Sequence, residues 1–281
     1  MTFRYDGLTA VVTGAASGIG AATTALLVDH GATVWGLDKQ PAPGHEWHRV
    51  DLARVADIDR FVAALPRPPD AVFCCAGLPS TQPDVDVMAV NFCGHRHLLE
   101  SLIPDMPSGS AIAIVVSAGA LGQMKYRHEL AELVATPGFH AALDWCRSHR
   151  EVLVDAYGFS KAALLTWQTT RCTSLLNRGI RVNCLTPGPV ETPMMRAFEE
   201  ALGKAYMDNF PRPIGRNSTA IEQAYPLLFL NSPAASYVAG HNLFADGGFY
   251  SALQSGEIDP AVITPWEQKG HVVDDQARRD I

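Results

Sequence analysis

The chain has 281 residues, 47% of them hydrophobic and 18% charged, with a net charge of −7. That acidic excess, with no basic stripe to offset it, argues against nucleic acid and for small, neutral partners. The longest apolar run, Ala111 to Leu121, is too short to span a bilayer and Met1 to Gly7 carries no charged-then-apolar leader, so a cytoplasmic protein without a membrane partner is expected.

The first element is a β-type run, Leu8 to Thr13, which enters Gly14-Ala15-Ala16-Ser17-Gly18-Ile19-Gly20 and leaves as a helical pattern through Leu27. This reads as strand, phosphate loop and helix. Glycines there permit positive φ and let a pyrophosphate approach the amides of a helix N-terminus. Their spacing is Gly-x-x-x-Gly-x-Gly, not the general Gly-x-Gly-x-x-Gly. A second strand, 33–38, ends in Asp38, twenty residues after Gly18, the offset at which a carboxylate bonds the adenosine ribose hydroxyls. Such a carboxylate repels the 2′-phosphate of NADP and favours NAD, with Lys39 beside it as a partial offset. After a short extended stretch, 47–50, comes Asp51-Leu52. Asp51 is placed to accept from an adenine amino group, to cap a helix over Ala53–Leu65, or both. Further strands are expected at 70–75, 111–116, 180–186 and 241–245. With helical patterns between them and no linker dividing the middle, they predict an α/β fold in one domain, a doubly wound, seven-stranded parallel sheet.

Tyr157 and Lys161 stand four residues apart, on one face if the segment is helical. A lysine there lowers the tyrosine pKa, and moving it from ~10 toward ~7 takes about 4 kcal/mol. The six cysteines lack a Cys-x-x-Cys spacing and read as reduced core residues. Among the ten histidines, His95-Arg96-His97 and His45-Glu46-Trp47-His48 have no ligand-like partner at a recognised spacing. They read as polar surface positions, and no metal is expected.

Thr13-Gly14-x-x-x-Gly18-Ile19-Gly20, Asp38, Asp51, Ala76-Gly77, Asn91-x-x-Gly94, Ser117, Tyr157-x-x-x-Lys161, Pro187-Gly188 and Asp246-Gly247-Gly248 occur in the order of the short-chain dehydrogenase/reductases. The sequence resembles that family over roughly residues 5–250. The resemblance implies a Rossmann-like domain, NAD(P)-dependent oxidation of alcohols or reduction of carbonyls, and a catalytic tetrad of Asn91, Ser117, Tyr157 and Lys161. Tyr157 would be the acid/base, Ser117 would bond the same substrate oxygen, Lys161 would lower the tyrosine pKa and hold the nicotinamide ribose, and Asn91 would keep a proton path open toward Lys161. Cofactor contacts are expected from Gly14, Ser17, Gly18, Ile19, Gly20, Asp38, Asp51, Leu52, Ala76, Gly77, Tyr157, Lys161, Pro187, Gly188, Val190 and Thr192. Substrate contacts are expected from Ser117 and Tyr157, and from Met194, Met195 and Phe198 in a lid over about 191–215, with Arg196, Lys204 and Arg212 leaving an anionic substituent open.

Two departures stand out. Cys74-Cys75-Ala76-Gly77 replaces the Asn-Asn-Ala-Gly of many members, so the bonds those asparagines make must be met differently. Ser117 and Tyr157 are 40 positions apart, far more than in most members, and the extra segment, about 122–149, has a helical pattern broken at Pro137-Gly138. A comparable insertion marks the bacterial 3α-hydroxysteroid dehydrogenase/carbonyl reductase branch, which this sequence also resembles in Cys75-Ala76-Gly77-Leu78 and Glu191-Thr192-Pro193. That branch implies a bulky apolar secondary alcohol or its ketone, and a homo-oligomer, dimer or tetramer, that does not pair through the usual long helices. The alternatives are an NADPH-dependent carbonyl reductase and, in another class, a regulator that binds NAD without turnover. A C-terminal extension, 251–281, with Trp266, is expected to dock over the site or a partner, or to stay disordered.

Overall fold

The computed structural model describes residues 4–263. The chain runs β1 (Thr9–Thr13), α1 (Gly18–Asp29), β2 (Thr33–Asp38), β3 (Glu46–Arg49), α2 (Val55–Ala64), β4 (Ala71–Cys74), α3 (Asp84–Met88), a π-helical turn (Ala89–Gly94), α4 (His95–Leu102) and β5 (Ala111–Val115). It continues through α5 (Gly119–Gln123), α6 (Arg127–Ala135), α7 (Gly138–Ser148), α8 (Ala156–Leu176), β6 (Arg181–Pro187), β7 (Val190–Glu191), α9 (Pro193–Leu202), α10 (Lys204–Asn209), β8 (Ser218–Thr219), α11 (Ala220–Asn231), β9 (Asn242–Ala245) and α12 (Phe249–Gln254).

Seven strands form one sheet in the order β3-β2-β1-β4-β5-β6-β9, every pair parallel. The expected doubly wound sheet is present, each strand within two residues of its predicted bounds. Strand side chains alternate between two cores. Val11, Val72, Ile112 and Val182 face the layer of α2, α4 and α8, whereas Val12, Phe73, Ala113 and Leu185 face α1 and α11. Both faces are buried, which is why these strands read as continuous apolar runs.

Register decides where chemistry collects. Thr13 pairs with both Leu37 and Cys74, and Cys74 with Ile114. The carboxyl ends of β1, β2, β4 and β5 therefore stop level, on either side of the point between β1 and β4 where strand order reverses.

The insertion is two helices, α6 and α7, split at Pro137-Gly138. They pack on α8, on α4 and on the π-helical turn, with Trp145 stacked on Phe159 at 6.3 Å. Arg96, 1% exposed, pins them by donating to the carbonyls of Thr136 and Gly138. The sequence reads His95 as a surface position and assigns Arg96 no place. Both are buried, because α4 is covered on one side by the sheet and on the other by the insertion.

Candidate active site

The glycine loop turns directly out of β1, with φ of +72° at Gly14 and +52° at Gly18. A Cβ on Gly14 would stand 2.9 Å from the backbone of Ala76, so only glycine lets the loop pass the end of β4. Ser17 caps α1 in an extended conformation and spends no side-chain bond on the helix, so its hydroxyl and the first amides of α1 are free for an anion. Gly20 does not line the cavity; a Cβ there would strike the Gly14 carbonyl, so this glycine serves helix–loop packing. Asp38 accepts from the Ala16 amide at 3.1 Å and the Gln40 amide at 3.0 Å, which fixes its carboxylate against the loop. Asp51 is not the N-cap of α2, since that helix begins at Val55 after Arg54. Its carboxylate instead accepts from the Ala53 amide at 3.0 Å and pairs with Lys39 at 3.3 Å.

On the other side, Asp155 caps α8 by accepting from the Gly158 amide at 2.9 Å. Tyr157 thus sits in the first turn with Lys161 one turn on. Lys161 is 3% exposed and donates to the Val115 carbonyl at 2.9 Å. Burial pushes its pKa down to about 8, with Cys75, Cys74 and Cys184 opposing. Ser117 follows β5 and lines the cavity with Tyr157, where its hydroxyl favours the ionised phenol. Burial pushes the Tyr157 phenol up to about 12 against the influence of Ser117, and the Asp155 carboxylate adds to the rise. The expected lowering by Lys161 is therefore not achieved by the protein groups alone. The ammonium is bonded to a backbone carbonyl, 5.7 Å from the centre of the tyrosine ring.

Asn91 lies in the π-helical turn, fully buried. Its amide accepts from Leu78 N at 2.7 Å and donates to Leu78 O at 3.0 Å and to Ser160 Oγ at 3.2 Å. It does not line the cavity; it braces the loop behind Gly77.

Between these walls lies a cavity of about 710 Å³. Apart from Gly20 and Asn91, every expected cofactor and substrate residue lines it. A Cβ on Gly77 would reach 3.5 Å from Asn91 Oδ1 and 3.7 Å from Lys161 Nζ, so glycine there keeps the floor open. Phe198 meets the Tyr157 ring edge-on at 5.1 Å. In α9 only Leu202 is buried, so Met194, Met195 and Phe198 face the cavity and do not form a helix core. Two of the three cations near the lid are spent elsewhere, Lys204 on Asp208 at 2.7 Å and Arg212 on the carbonyls of Met207 and Phe210.

Of the options for the C-terminal extension, docking over the site holds for its first part: Val262 and Ile263 close one side of the cavity, although the sequence did not single out these two residues. Tyr206 holds that segment by donating to the Val262 carbonyl at 2.7 Å. No local pattern signals such a contact across 56 residues. Trp266 lies outside the described residues.

The family profile described as enoyl-(acyl carrier protein) reductase matches residues 14–250, spanning the glycine loop, Asn91, Ser117, Tyr157 and Lys161. The chain is a short-chain dehydrogenase/reductase. It is 31% identical over 247 residues to coniferyl-alcohol dehydrogenase of Pseudomonas sp. (strain HR199 / DSM 7063), covering 86% of this chain and 96% of that protein. With 3-alpha-hydroxysteroid dehydrogenase/carbonyl reductase of Comamonas testosteroni it shares 30% over 254 residues, covering 87% and 97%. The 3-alpha-hydroxysteroid dehydrogenase from Pseudomonas sp. B-0831, solved in complex with NADH, matches at a TM-score of 0.76 and 32% identity over 89% of this chain and 100% of that one. The family and the Rossmann-like fold expected from the sequence are thereby established, within a family of oxidoreductases whose relatives here act on alcohols. Among the described residues no helix is long and apolar enough to cross a membrane.

Proposed function

We propose that this protein is an NAD-dependent dehydrogenase that interconverts a bulky, apolar secondary alcohol and its ketone. The observation that carries this reading is Ser117 and Tyr157 lining one cavity with a glycine loop and an acid at one end and a Met/Phe wall at the other. The protein offers NAD a fitting cradle, with unspent amides at the start of α1, a bare Gly77 floor, and Asp38 where the adenosine ribose would lie. When bound, oxidised nicotinamide would supply the hydride acceptor and a positive charge.

The remaining work falls to side chains. Ser117 Oγ bonds the substrate oxygen and orients it, and Tyr157 Oη takes the hydroxyl proton in oxidation and returns it in reduction. About five pKa units, or roughly 7 kcal/mol, separate the phenol at about 12 from a base working near neutrality. The Lys161 ammonium, 5.7 Å from the centre of the tyrosine ring, is a cation placed to supply part of that. Asn91 holds the loop against which Lys161 packs. The wall of Met194, Met195, Phe198 and Phe210 suits a ring-sized, uncharged group.

One observation supports a second reading. Lys39, Arg49, Arg54 and Arg60 line a cleft of about 340 Å³ with Asp51 and Asp57, the last paired with Arg60, and its cationic excess suits the additional phosphate of NADP and an NADPH-dependent carbonyl reductase. Because Lys39 is paired with Asp51 and Asp38 borders the ribose end, NAD remains first. We further propose a cytoplasmic homo-oligomer whose subunits do not pair through α4 and α8, which the insertion covers; crosslinks between α8 helices of two copies would contradict that.

The test is absorbance at 340 nm with NAD and NADP across ring alcohols. NAD-linked turnover that Tyr157→Phe abolishes, with NAD binding kept, is expected. Turnover surviving that change would overturn the assigned chemistry, and NAD binding without any turnover would favour a non-catalytic regulator.

A further inference from the structure

The loop from Cys75 to Leu78 forms the cavity floor beside Lys161, and the protein grips it at both ends. At one end Thr13 Oγ1 accepts from the amides of Cys75 at 3.0 Å and Ala76 at 3.1 Å. At the other, the Asn91 side chain bonds both the amide and the carbonyl of Leu78, at 2.7 and 3.0 Å. His95 bonds to both grips. Its Nε2 lies 2.9 Å from Thr13 Oγ1 and its Nδ1 lies 3.0 Å from the Asn91 carbonyl. The ring is fully buried and does not line the active-site cavity.

The direction of every bond follows from the partners. Both lone pairs of the Thr13 hydroxyl are taken by amides, so its one proton must go to Nε2. The neutral ring then carries its proton on Nδ1, the only arrangement in which it donates to a backbone carbonyl. A protonated ring would aim a second N–H at a hydroxyl with no lone pair left, in line with a pKa that burial and Lys161 push down to about 4.

We propose that His95 is a positioning residue, locked as the Nδ1–H tautomer, that ties the Thr13 and Asn91 grips together and so sets the floor on which the nicotinamide end of the cofactor rests. The inference deepens the dehydrogenase reading given above and rests on it. It also accounts for the loss of the asparagine pair at Cys74-Cys75. A thiol cannot make an amide's bonds, and an imidazole from the neighbouring helix links the same loop to its support. The histidine works through backbone it orders, and it contacts neither substrate nor cofactor.

Two substitutions divide its roles. In His95→Asn the side-chain amide falls near Nδ1 and keeps the bond to the Asn91 carbonyl; in His95→Gln the longer side chain reaches the Nε2 position and accepts from Thr13. His95→Phe keeps the volume and loses both. Imidazole ¹⁵N shifts of the wild-type protein without added nucleotide should be pyrrole-type at Nδ1 and pyridine-type at Nε2. An Nε2–H tautomer overturns the proposal whatever the activity. For turnover of a ring alcohol, His95→Phe should lower kcat by about 10- to 100-fold, the size of a misplaced reacting group. Its Kd for NADH should change less than threefold, because the adenosine and phosphate contacts lie elsewhere. Asn and Gln should each recover at least fivefold of the lost kcat when assayed well below their melting temperatures. Equal losses in all three variants, tracking melting temperature, would mean a merely structural histidine and overturn the proposal. A wild-type protein that shows the Nδ1–H signature but turns over no alcohol would sink the dehydrogenase reading and leave the His95 linkage standing.

Discussion

Arg96→Met should loosen the insertion without touching the chemistry. The guanidinium donates to the Thr136 carbonyl and hydroxyl at 3.1 Å each and to the Gly138 carbonyl, closing the turn between α6 and α7. Methionine fills most of that volume and donates nothing. Two partly buried carbonyls then lose a charged donor, at about 1–2 kcal/mol each given their access to water. Against this, burying the cation is itself costly. Its nearest carboxylate, Glu100, is 4.0 Å away, and burial holds the Arg96 pKa below its usual value. Removing the charge recovers part of that cost. Glu100 is not orphaned, because Arg171 pairs with it at 2.8 Å. The carbonyls outweigh the recovered desolvation, leaving a net loss of about 2 kcal/mol. Hydrogen exchange should show residues 127–148 opening about 30-fold more often, with the sheet unchanged and kcat within twofold. Unchanged or raised protection of 127–148 would mean that the buried charge costs more than its hydrogen bonds return, and the account of the insertion's anchor would be wrong.

Other outcomes follow from the same geometry. Asp38→Asn removes the carboxylate facing the ribose end, and the preference for NAD over NADP in kcat/KM should fall about tenfold, near 1.4 kcal/mol; an unchanged ratio would assign selectivity to the Lys39–Arg54 cleft. Tyr206→Phe deletes the bond to Val262, worth about 1 kcal/mol, and should raise KM for a ring alcohol about fivefold while leaving 2-propanol unaffected. Equal effects on both substrates would remove the C-terminal segment from the substrate wall. For His95 the folded pKa of about 4 lies below the ordinary 6.5, so between those values the unfolded chain binds a proton the folded chain refuses. Stability therefore rises with pH across that window, and about 3 kcal/mol is lost on acidifying from about 6.5 to about 4. Urea titrations at three pH values should show this slope in the wild type and not in His95→Gln. The same slope in both would place the titration elsewhere.

The sheet, the glycine loop and the one-turn spacing of Tyr157 and Lys161 were legible in the sequence, because those signals are local. An apolar run of five residues, a positive-φ glycine and a four-residue helical repeat each carry their meaning within one or two turns of chain. Asp38 and Tyr157 were legible for the same reason, since strand and helix geometry places them before any long-range contact is made. Only the tertiary structure decided what lies around them. The imidazole of His95 reads as polar surface until the sheet and the insertion close over α4, and the tyrosine pKa depends on burial, Ser117 and Asp155. Val262 meets Tyr206 across a span no pattern predicts. Burial and hydrogen-bond partners belong to whole surfaces brought together by the fold, and a single stretch of chain holds no record of which surface will cover it.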